Sequence, residues 1–381
     1  MKDNDPSKKI LFVATVYTHL ANFHKPYISM LQERGYEVHA ACNPNEGRKQ
    51  EIEELGVICW DIPFSRNPFN LNNFKATKEL LKLFKTNYYE LIHTHTPIAS
   101  FLTRLLARLK NQGNILYTAH GFHFYKGAPF INWLLYYPIE FIANKWTDGL
   151  IVMNKEDYEA GKKMGRTSGK NIFLTNGVGV DLNTFNSEST DEGLIRRELN
   201  IPPNHLIVSC VAELTVNKNH LFLLKAWEIL SGKYDDIQLL IVGSGENEYN
   251  LKKYVHETKL NNIHFLGFRK DIPSVLQDSD IVTLLSKREG LPKCIMEAMA
   301  ASKPVIVSNT RGLRDLVTHN KNGLVVDLDN YQQLINSFEV LIQSEEMRRL
   351  MGKNGFEKIR KYSIENVVFQ LRSIYNKYLI K

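Results

Sequence analysis

The sequence has few cysteines and no long hydrophobic run. Its 381 residues include four cysteines, none of them in a C-x-x-C pair: Cys42, Cys59, Cys210 and Cys294. This spacing argues against a disulfide framework and favours buried, reduced thiols in a cytosolic protein. No stretch reaches the roughly 18–20 apolar residues that a membrane span requires. The opening MKDNDPSKKILFVAT leads into a strand rather than a signal peptide, so we expect a cytoplasmic protein.

The absence of two motifs argues against two classes of protein. The first apolar run is followed by TVYTHLANF rather than the G-x-G-x-x-G of dinucleotide-binding folds, which argues against a nicotinamide dehydrogenase. No RNA- or DNA-binding motif accompanies the net charge of +7, so no nucleic-acid partner is expected. The charge is concentrated, because residues 62–145 hold ten Lys and Arg against three Asp and Glu, a surplus of seven. Such a region favours anionic membranes or phosphorylated substrates.

Short β-branched runs alternate with helical patterns along the whole chain. Twelve runs, from KILFVAT to NGLVVD, are apolar throughout, as expected for parallel strands that are covered on both faces. This alternation predicts an α/β protein with two Rossmann-like, doubly wound sheets. The polar segment NSESTDEG (186–193) is interpreted as the linker. We therefore predict domains at 1–185 and 186–362, with an amphipathic helix at 363–381 that packs back onto the first.

Two glutamates, Glu289 and Glu297, surround a predicted helix start in REGLPKCIMEAMAA. Pro292 suits the first helical position, because its missing N–H would be unpaired there anyway. Free N–H groups and the positive end of the helix dipole make this place an anion site. A nucleotide-diphosphate sugar fits, with its phosphates at the helix end and its hydroxyl groups on the carboxylates. The alternative is a dipole-stabilising glutamate together with a solvated surface glutamate.

Further candidates follow other predicted strands, where doubly wound sheets bind ligands. Lys218 lies between a strand and a helix, where an ammonium could meet a diphosphate; an ordinary surface lysine is the alternative. Gly243 and Gly245 would let a ligand approach the backbone. Phe268 and Arg269 are a candidate edge for binding the base.

Histidines end two predicted strands of the first half. His120 ends NILYTAH, and His93 and His95 lie in LIHTH. We expect no metal site from His93 and His95, on the reasoning that their rings point to opposite faces of the strand. No other His, Cys or Asp cluster shows the spacing of metal ligands.

Taken together, these motifs resemble the retaining glycosyltransferases of family 4, which have the GT-B fold of two Rossmann-like domains facing across a cleft. Glu289 and Glu297 match the E-x7-E motif within EGLP, EAMA and KPVI, and HTH, AHG, NGV, VGSG and FLGF occur in the family's order. The resemblance spans nearly the whole chain. NGVGVD and FSRNPF are similar to bacterial capsular and exopolysaccharide sugar transferases.

The resemblance implies a role for each matched residue. Glu289 would face the hydroxyls of the donor sugar, Glu297 would hold the ribose, and Lys218 would neutralise the diphosphate. His120 would lie near the reaction centre. The remaining donor-binding assignments are Gly243, Gly245, Phe268, Arg269, Gly290, Leu291, Pro292 and Glu213, and the acceptor-side assignments are His24, Asn22, His95 and Arg66. No metal or other cofactor is implied.

Two departures from the family pattern stand out. The usual R-x4-K pair is Glu213-x4-Lys218 here, so an arginine that would share the phosphate charge is missing; Arg288 and Lys293 are candidate substitutes. The glycine pair of the first loop is replaced by VYTHLANFHKPY. His19, Asn22 and His24 of that loop either contact a substrate or only pack the loop.

The basic region also predicts how the acceptor is reached. Arg104 and Arg108 lie one turn apart on a predicted helix, and the aromatic-rich FYKGAPFINWLLYYPIEFIANKW follows. A basic helix beside aromatic residues suits peripheral contact with an anionic membrane and a polyprenyl-diphosphate-linked acceptor. The alternative is that both helices simply cover the first sheet.

The expected activity is therefore metal-independent transfer of a hexosyl group. The resemblance implies a UDP-sugar donor, with an N-acetylhexosamine as the sugar, and a lipid-linked or saccharide acceptor in bacterial surface polysaccharide synthesis. The alternative is a nucleotide-sugar epimerase of the same fold, similar to UDP-N-acetylglucosamine 2-epimerase, which would need no acceptor.

Overall fold

The computed structural model describes residues 8–164, 171–185 and 193–379, which form two compact units. The first unit comprises residues 1–178 and 365–381, and the second comprises residues 179–364. The division at residue 178 lies seven residues before the predicted one at 185. Most of the predicted linker, at 186–192, lies outside the described residues.

The first unit contains a seven-stranded parallel sheet. Its strands are β1 (Lys9–Val16), β2 (Glu37–Asn43), β3 (Ile58–Asp61), β4 (Leu91–Thr94), β5 (Asn114–Ala119), β6 (Gly149–Val152) and β7 (Ile172–Leu174). Its helices are α1 (Tyr17–Phe23), α2 (Lys25–Gln32), α3 (Gln50–Glu53), α4 (Asn72–Thr86), α5 (Pro97–Leu109), α6 (Phe130–Asn144) and α7 (Lys155–Lys163), with a 3-10 helix at Pro44–Glu46. The strand order is β3-β2-β1-β4-β5-β6-β7, a doubly wound arrangement.

The second unit contains a six-stranded parallel sheet. Its elements are α8 (Leu182–Phe185), α9 (Leu194–Leu199), β8 (Leu206–Val211), α10 (His220–Ser231), β9 (Ile237–Val242), α11 (Glu248–Glu257), β10 (Ile263–Gly267), α12 (Ile272–Asp278), β11 (Ile281–Leu284), α13 (Lys293–Ala300), β12 (Val305–Ser308), α14 (Leu313–Leu316), β13 (Leu324–Val326), α15 (Tyr331–Gln343) and α16 (Glu345–Ile359). Further 3-10 helices lie at Val216–Lys218 and Arg360–Tyr362. The strand order is β10-β9-β8-β11-β12-β13.

The final helix, α17 (Ile364–Tyr378), packs on the first unit. Val367, Leu371 and Tyr375 belong to the same buried cluster as Ile10 and Phe12 of β1. The side chain of Asn114 also donates to the backbone oxygen of Tyr378 at 2.7 Å.

The strands form because both faces of each sheet are buried. In β1 every residue after Lys9 is buried, and the strand pairs in parallel with β2 and β4. Continuous apolar runs suit such double coverage, and the prediction of two doubly wound parallel sheets is confirmed. The strand that the sequence did not reveal is β3, an edge strand with exposed ends.

Strand order also fixes where a ligand can bind. In both sheets the order reverses direction beside the first strand, between β1 and β4 and between β8 and β11. A crevice forms beyond the carboxyl ends of the strands at such a switch point. The loops after these four strands are therefore the first places to look for a site.

Candidate functional site

The second unit places Lys218 against Glu289 at its switch point. Lys218 ends the 3-10 helix after β8, and Glu289 lies in the loop after β11. The Lys218 Nζ and a Glu289 carboxylate oxygen are 2.6 Å apart, and the side chains are only 20% and 11% exposed. Burial opposes the charge on Lys218, but the Glu289 carboxylate outweighs it and the pKa of the lysine is raised. A charged lysine is thus held at the crevice, and Lys218 is not an ordinary surface lysine.

Glu297 lies on the first turns of α13, beside the same loop. Its side chain is 13% exposed, and Lys293 Nζ lies 3.3 Å from one of its oxygens. Burial raises the pKa of Glu297, and Lys293 counteracts that shift. Glu297 is therefore not a solvated surface glutamate. Pro292 is the N-cap residue of α13 and has an extended conformation. The first helical residue is Lys293, whereas the sequence predicted Pro292 at that position.

Arg311 is a cation that the sequence reasoning missed. It follows β12, is 3% exposed, and its Nε donates to the backbone oxygen of Glu289 at 3.2 Å. The rule that ligand-binding residues follow strand ends could have identified it in SNTRGL. Arg311 joins Arg288 and Lys293 as a candidate replacement for the missing arginine, whereas the Lys293 ammonium pairs with Glu297.

The backbone around Glu289 is closed tightly by glycines. Gly312 has a φ of +74°, and a Cβ there would lie 2.1 Å from the backbone oxygen of Gly290. The loops after β11 and β12 therefore touch through backbone atoms. This contact leaves no room for a side chain at position 312.

Gly243 and Gly245 have a structural explanation. A Cβ at Gly243 would lie 2.0 Å from the Ala212 backbone oxygen, and one at Gly245 would lie 2.6 Å from that of Leu214. Both glycines thus let the loop after β9 pack against the loop after β8. Their donor-binding role stays a prediction, as do those of Gly290 and the buried Leu291.

Several buried polar atoms beside Lys218 lack a partner. In the described part of the chain these include Asn219 Nδ2, both ring nitrogens of His220, and Ser286 Oγ just after β11. An unsatisfied buried polar group costs about 1–3 kcal/mol. A bound phosphate would supply acceptors at this place.

Of the two residues predicted to bind the base, Phe268 is exposed and Arg269 is held by carboxylates. Phe268 is 73% exposed just after β10 and is available for stacking. Arg269 instead donates to Glu198 and Asp271, at 2.7–2.9 Å, through all three of its guanidinium nitrogens. These carboxylates raise the pKa of Arg269. Contact of Arg269 with a base stays a prediction, and so does a role for the exposed Glu213.

The first unit gathers histidines at its own switch point. His19 lies on α1, His24 joins α1 to α2, and His95 and His120 directly follow β4 and β5. One ring nitrogen from each lies within 4.8 Å of those of the other three. We call these four residues the histidine cluster. Outside the unplaced segments, it is the only group of three or more His, Cys, Asp or Glu with this spacing.

The reasoning that separated His93 from His95 is wrong. Alternate residues of a strand share a face, and the centroids of these two rings are only 4.1 Å apart. His93 adjoins the histidine cluster, but its own nitrogens contact the Tyr375 hydroxyl at 2.8 Å and the Thr118 hydroxyl at 2.7 Å.

Burial keeps these imidazoles neutral. It is the main cause that lowers the pKa of His120 to about 4 and that of His93 to about 3. The pKa values of His19, His24 and His95 also fall well below the ordinary value, first through burial and then through neighbouring groups. The cluster therefore presents nitrogen lone pairs rather than positive charge at neutral pH.

Asn22 and Arg66, the other acceptor-side assignments, are both exposed: Asn22 lies on α1, and Arg66 lies in the loop between β3 and α4. The Asn22 side chain accepts a hydrogen bond from Arg48, which also pairs with Glu51. Arg66 lines a small pocket of about 190 Å³ with Thr15, Thr96 and His123. Contact of either residue with an acceptor stays a prediction.

The predicted basic face of α5 is wrong. Arg104 is 1% exposed, donates to a Glu140 carboxylate oxygen at 3.0 Å, and lies 4.1 Å from the Tyr117 ring centroid. Arg108 pairs with Asp148. Charge on this helix was interpreted as surface charge, but Arg104 is neutralised inside the unit and Arg108 is paired at its partly exposed edge.

Instead, α6 exposes a large apolar surface. Eight of its apolar side chains are between 37% and 80% exposed: Phe130, Ile131, Trp133, Leu134, Leu135, Ile139, Phe141 and Ile142. Contiguous exposed apolar patches of this kind mark interaction surfaces. Among the residues that the structure describes, no helix is both long and apolar enough to cross a membrane.

Comparisons with known proteins identify the class. Residues 191–358 match the family model for glycosyl transferases group 1, and residues 9–154 match the glycosyl transferase 4-like model. The chain therefore belongs to this glycosyltransferase family, and the family matches favour sugar transfer over the epimerase alternative.

Two relatives and one solved structure extend the match. The candidate glycosyltransferase EpsD of Bacillus subtilis (strain 168) is 33% identical over 98% of this chain and 97% of its own length. The Escherichia coli UDP-Gal:alpha-D-GlcNAc-diphosphoundecaprenol alpha-1,3-galactosyltransferase is 31% identical over 91% of this chain and 90% of its own length. Anabaena HepE in complex with UDP and glucose is similar with a TM-score of 0.80 at 19% identity, over 97% of this chain and 99% of that one. That similarity establishes the GT-B fold class and no more.

Proposed function

We propose that this protein transfers an N-acetylhexosamine from a UDP-sugar to a lipid-diphosphate-linked saccharide during bacterial surface polysaccharide synthesis. Transfer would retain the anomeric configuration and use no metal at the donor diphosphate. The observation that carries the proposal is the largely buried Lys218–Glu289 pair, 20% and 11% exposed, beside Glu297 at the start of α13.

The second unit offers suitable groups for each part of a nucleotide-sugar. Lys218, Arg311 and the free N–H groups at the start of α13 would stabilise the negative charge that develops on the leaving diphosphate. Glu297 would accept hydrogen bonds from the ribose hydroxyls, and Glu289 from the donor sugar. In this scheme the cations and dipoles of the protein replace a divalent ion.

The names of two compared proteins agree with this substrate class. The Escherichia coli relative is named for a UDP-Gal donor and a diphosphoundecaprenol-linked GlcNAc acceptor, and Anabaena HepE binds UDP and glucose. The α linkage in the first name is the product that retention would give from an α-linked UDP-sugar. UDP-galactose is therefore the first competitor to test against UDP-N-acetylhexosamines.

The apolar face of α6 is the proposed membrane contact. Beside it, a pocket of about 630 Å³ is lined by aromatic side chains, among them Phe124, Trp133 and Tyr137, together with three lysines and three acidic residues. The exposed apolar and aromatic side chains of α6, rather than the charge of this pocket, suit insertion at a lipid interface. Docking there would bring the enzyme to an acceptor carried by the inner face of the cell membrane.

The donor assignment is tested by the binding of UDP, GDP and ADP, each with and without EDTA. We expect UDP-selective binding that EDTA leaves unchanged and that Glu297→Gln weakens about 10- to 100-fold, since hydrogen bonds to charged groups contribute about 1.5–3 kcal/mol. Glu339→Gln, which removes the surface partner of Lys233 in the same unit, is the matched control. Preference for GDP or ADP would contradict the assigned base, and no nucleotide binding at all would contradict the site.

Transfer itself is followed by mass spectrometry of a diphosphoundecaprenol-linked GlcNAc acceptor, with UDP-GlcNAc, UDP-GalNAc and UDP-galactose as donors. We expect a gain of one N-acetylhexosamine. A product that carries only galactose would contradict the proposed sugar but not the proposed reaction.

The membrane contact is tested by sedimentation with anionic vesicles at low salt. Leu134→Asp should weaken binding about tenfold or more, because a Leu side chain buried in an apolar phase contributes roughly 1.5–3 kcal/mol. Leu350→Asp is the control, since Leu350 is similarly exposed, 51% against 57%, but lies on α16 of the second unit. Equal binding by wild type and Leu134→Asp would rule out α6 as the docking face.

A further inference from the structure

The histidine cluster is assembled from three separate segments of the first unit. His19 and His24 come from the segment after β1, His95 from the end of β4 and His120 from the end of β5. His24 and His95 are 2% and 1% exposed, and their ring centroids are 3.8 Å apart. Only the fold brings these residues together, because their positions span a hundred residues of sequence.

Hydrogen bonding within the cluster cannot satisfy its nitrogens. His19 Nε2 lies 3.2 Å from His120 Nε2 and 3.4 Å from His24 Nε2. An imidazole nitrogen carries either one hydrogen or one lone pair in the ring plane, so a single Nε2 cannot bond well to both neighbours. Both ring nitrogens of His95 and Nδ1 of His24 are buried and have no hydrogen-bond partner among the residues that the structure describes. Left in this state, such groups cost about 1–3 kcal/mol each.

The spacing fits a metal ion. A tetrahedral zinc ion with Zn–N distances of about 2.0–2.1 Å holds its ligand nitrogens about 3.3–3.4 Å apart. The two short nitrogen distances, 3.2 and 3.4 Å, already have this length. The widest separation within the cluster is 4.8 Å, so closure around an ion needs side-chain shifts of about 1 Å.

We propose that the histidine cluster is a metal site in which His19, His24, His95 and His120 bind one divalent transition-metal ion, with zinc as the preferred occupant. A central cation would take up the converging lone pairs that hydrogen bonds leave unused. The site contains neither thiolate nor carboxylate, and a set of neutral imidazoles suits zinc, copper or nickel rather than magnesium or calcium.

His93 provides the internal contrast. It lies two residues before His95 and adjoins the same rings, yet both of its nitrogens contact hydroxyl groups. It is therefore outside the ligand set. The proposed site lies wholly within the first unit and is independent of the donor assignment in the second, so either can fail while the other stands.

The test is zinc binding by the full chain without a polyhistidine tag, after removal of metal with a chelator and desalting. Titration against a chromogenic chelator gives the affinity, and elemental analysis gives the stoichiometry. We expect one zinc per chain, and visible bands of four-coordinate geometry when cobalt replaces zinc. His24→Ala and His95→Ala should each weaken binding at least about tenfold.

Matched variants separate ligation from folding. His95→Cys keeps a zinc ligand at the same place and should bind more tightly than His95→Ala. His93→Gln and the distant, exposed His319→Ala should bind zinc as the wild type does. Circular dichroism checks that each variant is folded. The proposal is overturned if the wild type binds no stoichiometric zinc, or if His24→Ala and His95→Ala bind it as well as His319→Ala does.

Discussion

The two units share one sheet topology and hold opposite kinds of chemistry at the same topological position. Beside β1 and β4 the first unit gathers neutral imidazoles, two of them buried and two half-buried. Beside β8 and β11 the second unit gathers charged groups, with Lys218 against Glu289 and Lys293 against Glu297. Strand order decides where a site forms, and the loops after the strands decide what it binds.

The two sites also differ in the contacts that hold their residues in place. The histidine cluster depends on side chains that are packed against one another and against Phe12, whose ring stacks on that of His95. The charged site depends on close backbone contacts between loops, at Gly243 and at Gly312. Variants at these positions should therefore fail in different ways.

The largest expected effect comes from removing Lys218, the lysine that pairs with Glu289 in the second unit. Lys218→Met should lower kcat/KM for sugar transfer about 100- to 1000-fold, the range found when one group that stabilises transition-state charge is lost. Product formation at several UDP-sugar concentrations measures this. Lys233→Met, which removes a paired surface lysine of the same unit, is the control. Wild-type activity in Lys218→Met would show that the diphosphate is neutralised elsewhere.

Backbone closure predicts a second, smaller effect on stability. Gly312→Ala should reduce the local stability of the second unit by about 2–4 kcal/mol, because its Cβ would collide with the Gly290 oxygen at a positive φ. Gly267→Ala also has a positive φ, +62°, but would meet no atom within 4 Å, so it should cost only about 1 kcal/mol. Hydrogen exchange of peptides from residues 281–317 distinguishes the two. Similar protection in both variants would contradict the tight closure.

Acid should affect the first unit before the second. Folding lowers the pKa of His120 to about 4 and of His93 to about 3, whereas the unfolded chain protonates histidine near pH 6.5. The unfolded state therefore binds more protons below pH 6.5, and stability present above that pH is lost as the pH falls toward these folded-state values. The loss is up to about 1.4 kcal/mol per pH unit for each such histidine.

Hydrogen exchange at pH 7 and pH 5, in buffer with a chelator, measures this difference unit by unit. His120→Gln should lessen the loss of protection in the first unit, and His319→Gln should not change it. Equal acid sensitivity of the two units would mean that the histidines are not held neutral by the fold.

Local sequence was sufficient for most of the fold and part of the site. Glu289 and Glu297 were found because they lie eight positions apart around one helix start, and Lys218 because it follows a strand. Arg311 was missed although it also follows a strand, because a single arginine in a loop is indistinguishable in sequence from a surface cation until its contact with the Glu289 backbone is known. The edge strand β3 was missed because it has only four residues and its ends are exposed, so its apolar run is too short to mark a strand.

Other features depended on tertiary contacts that no local pattern encodes. Arg104 looked like a surface cation, and only the packing of α5 with α6 places Glu140 beside it. The histidine cluster joins residues that follow three different strands, β1, β4 and β5. The prediction that His93 and His95 lie on opposite faces of the strand also argued against a metal site there. Glu140 lies 36 residues from Arg104 in sequence, and His95 and His120 lie 25 residues apart.

The return of α17 to the first unit has a consequence for biosynthesis. Residues 179–364 are made between the last strand of the first unit and the helix that fills its core. During translation, part of the apolar surface around Ile10 and Phe12 therefore stays uncovered until the whole second unit has been synthesised. The hydroxyl of Tyr375, which contacts His93, arrives in the same late step. The unit that holds the histidine cluster is thus the first to be synthesised and the last to be completed.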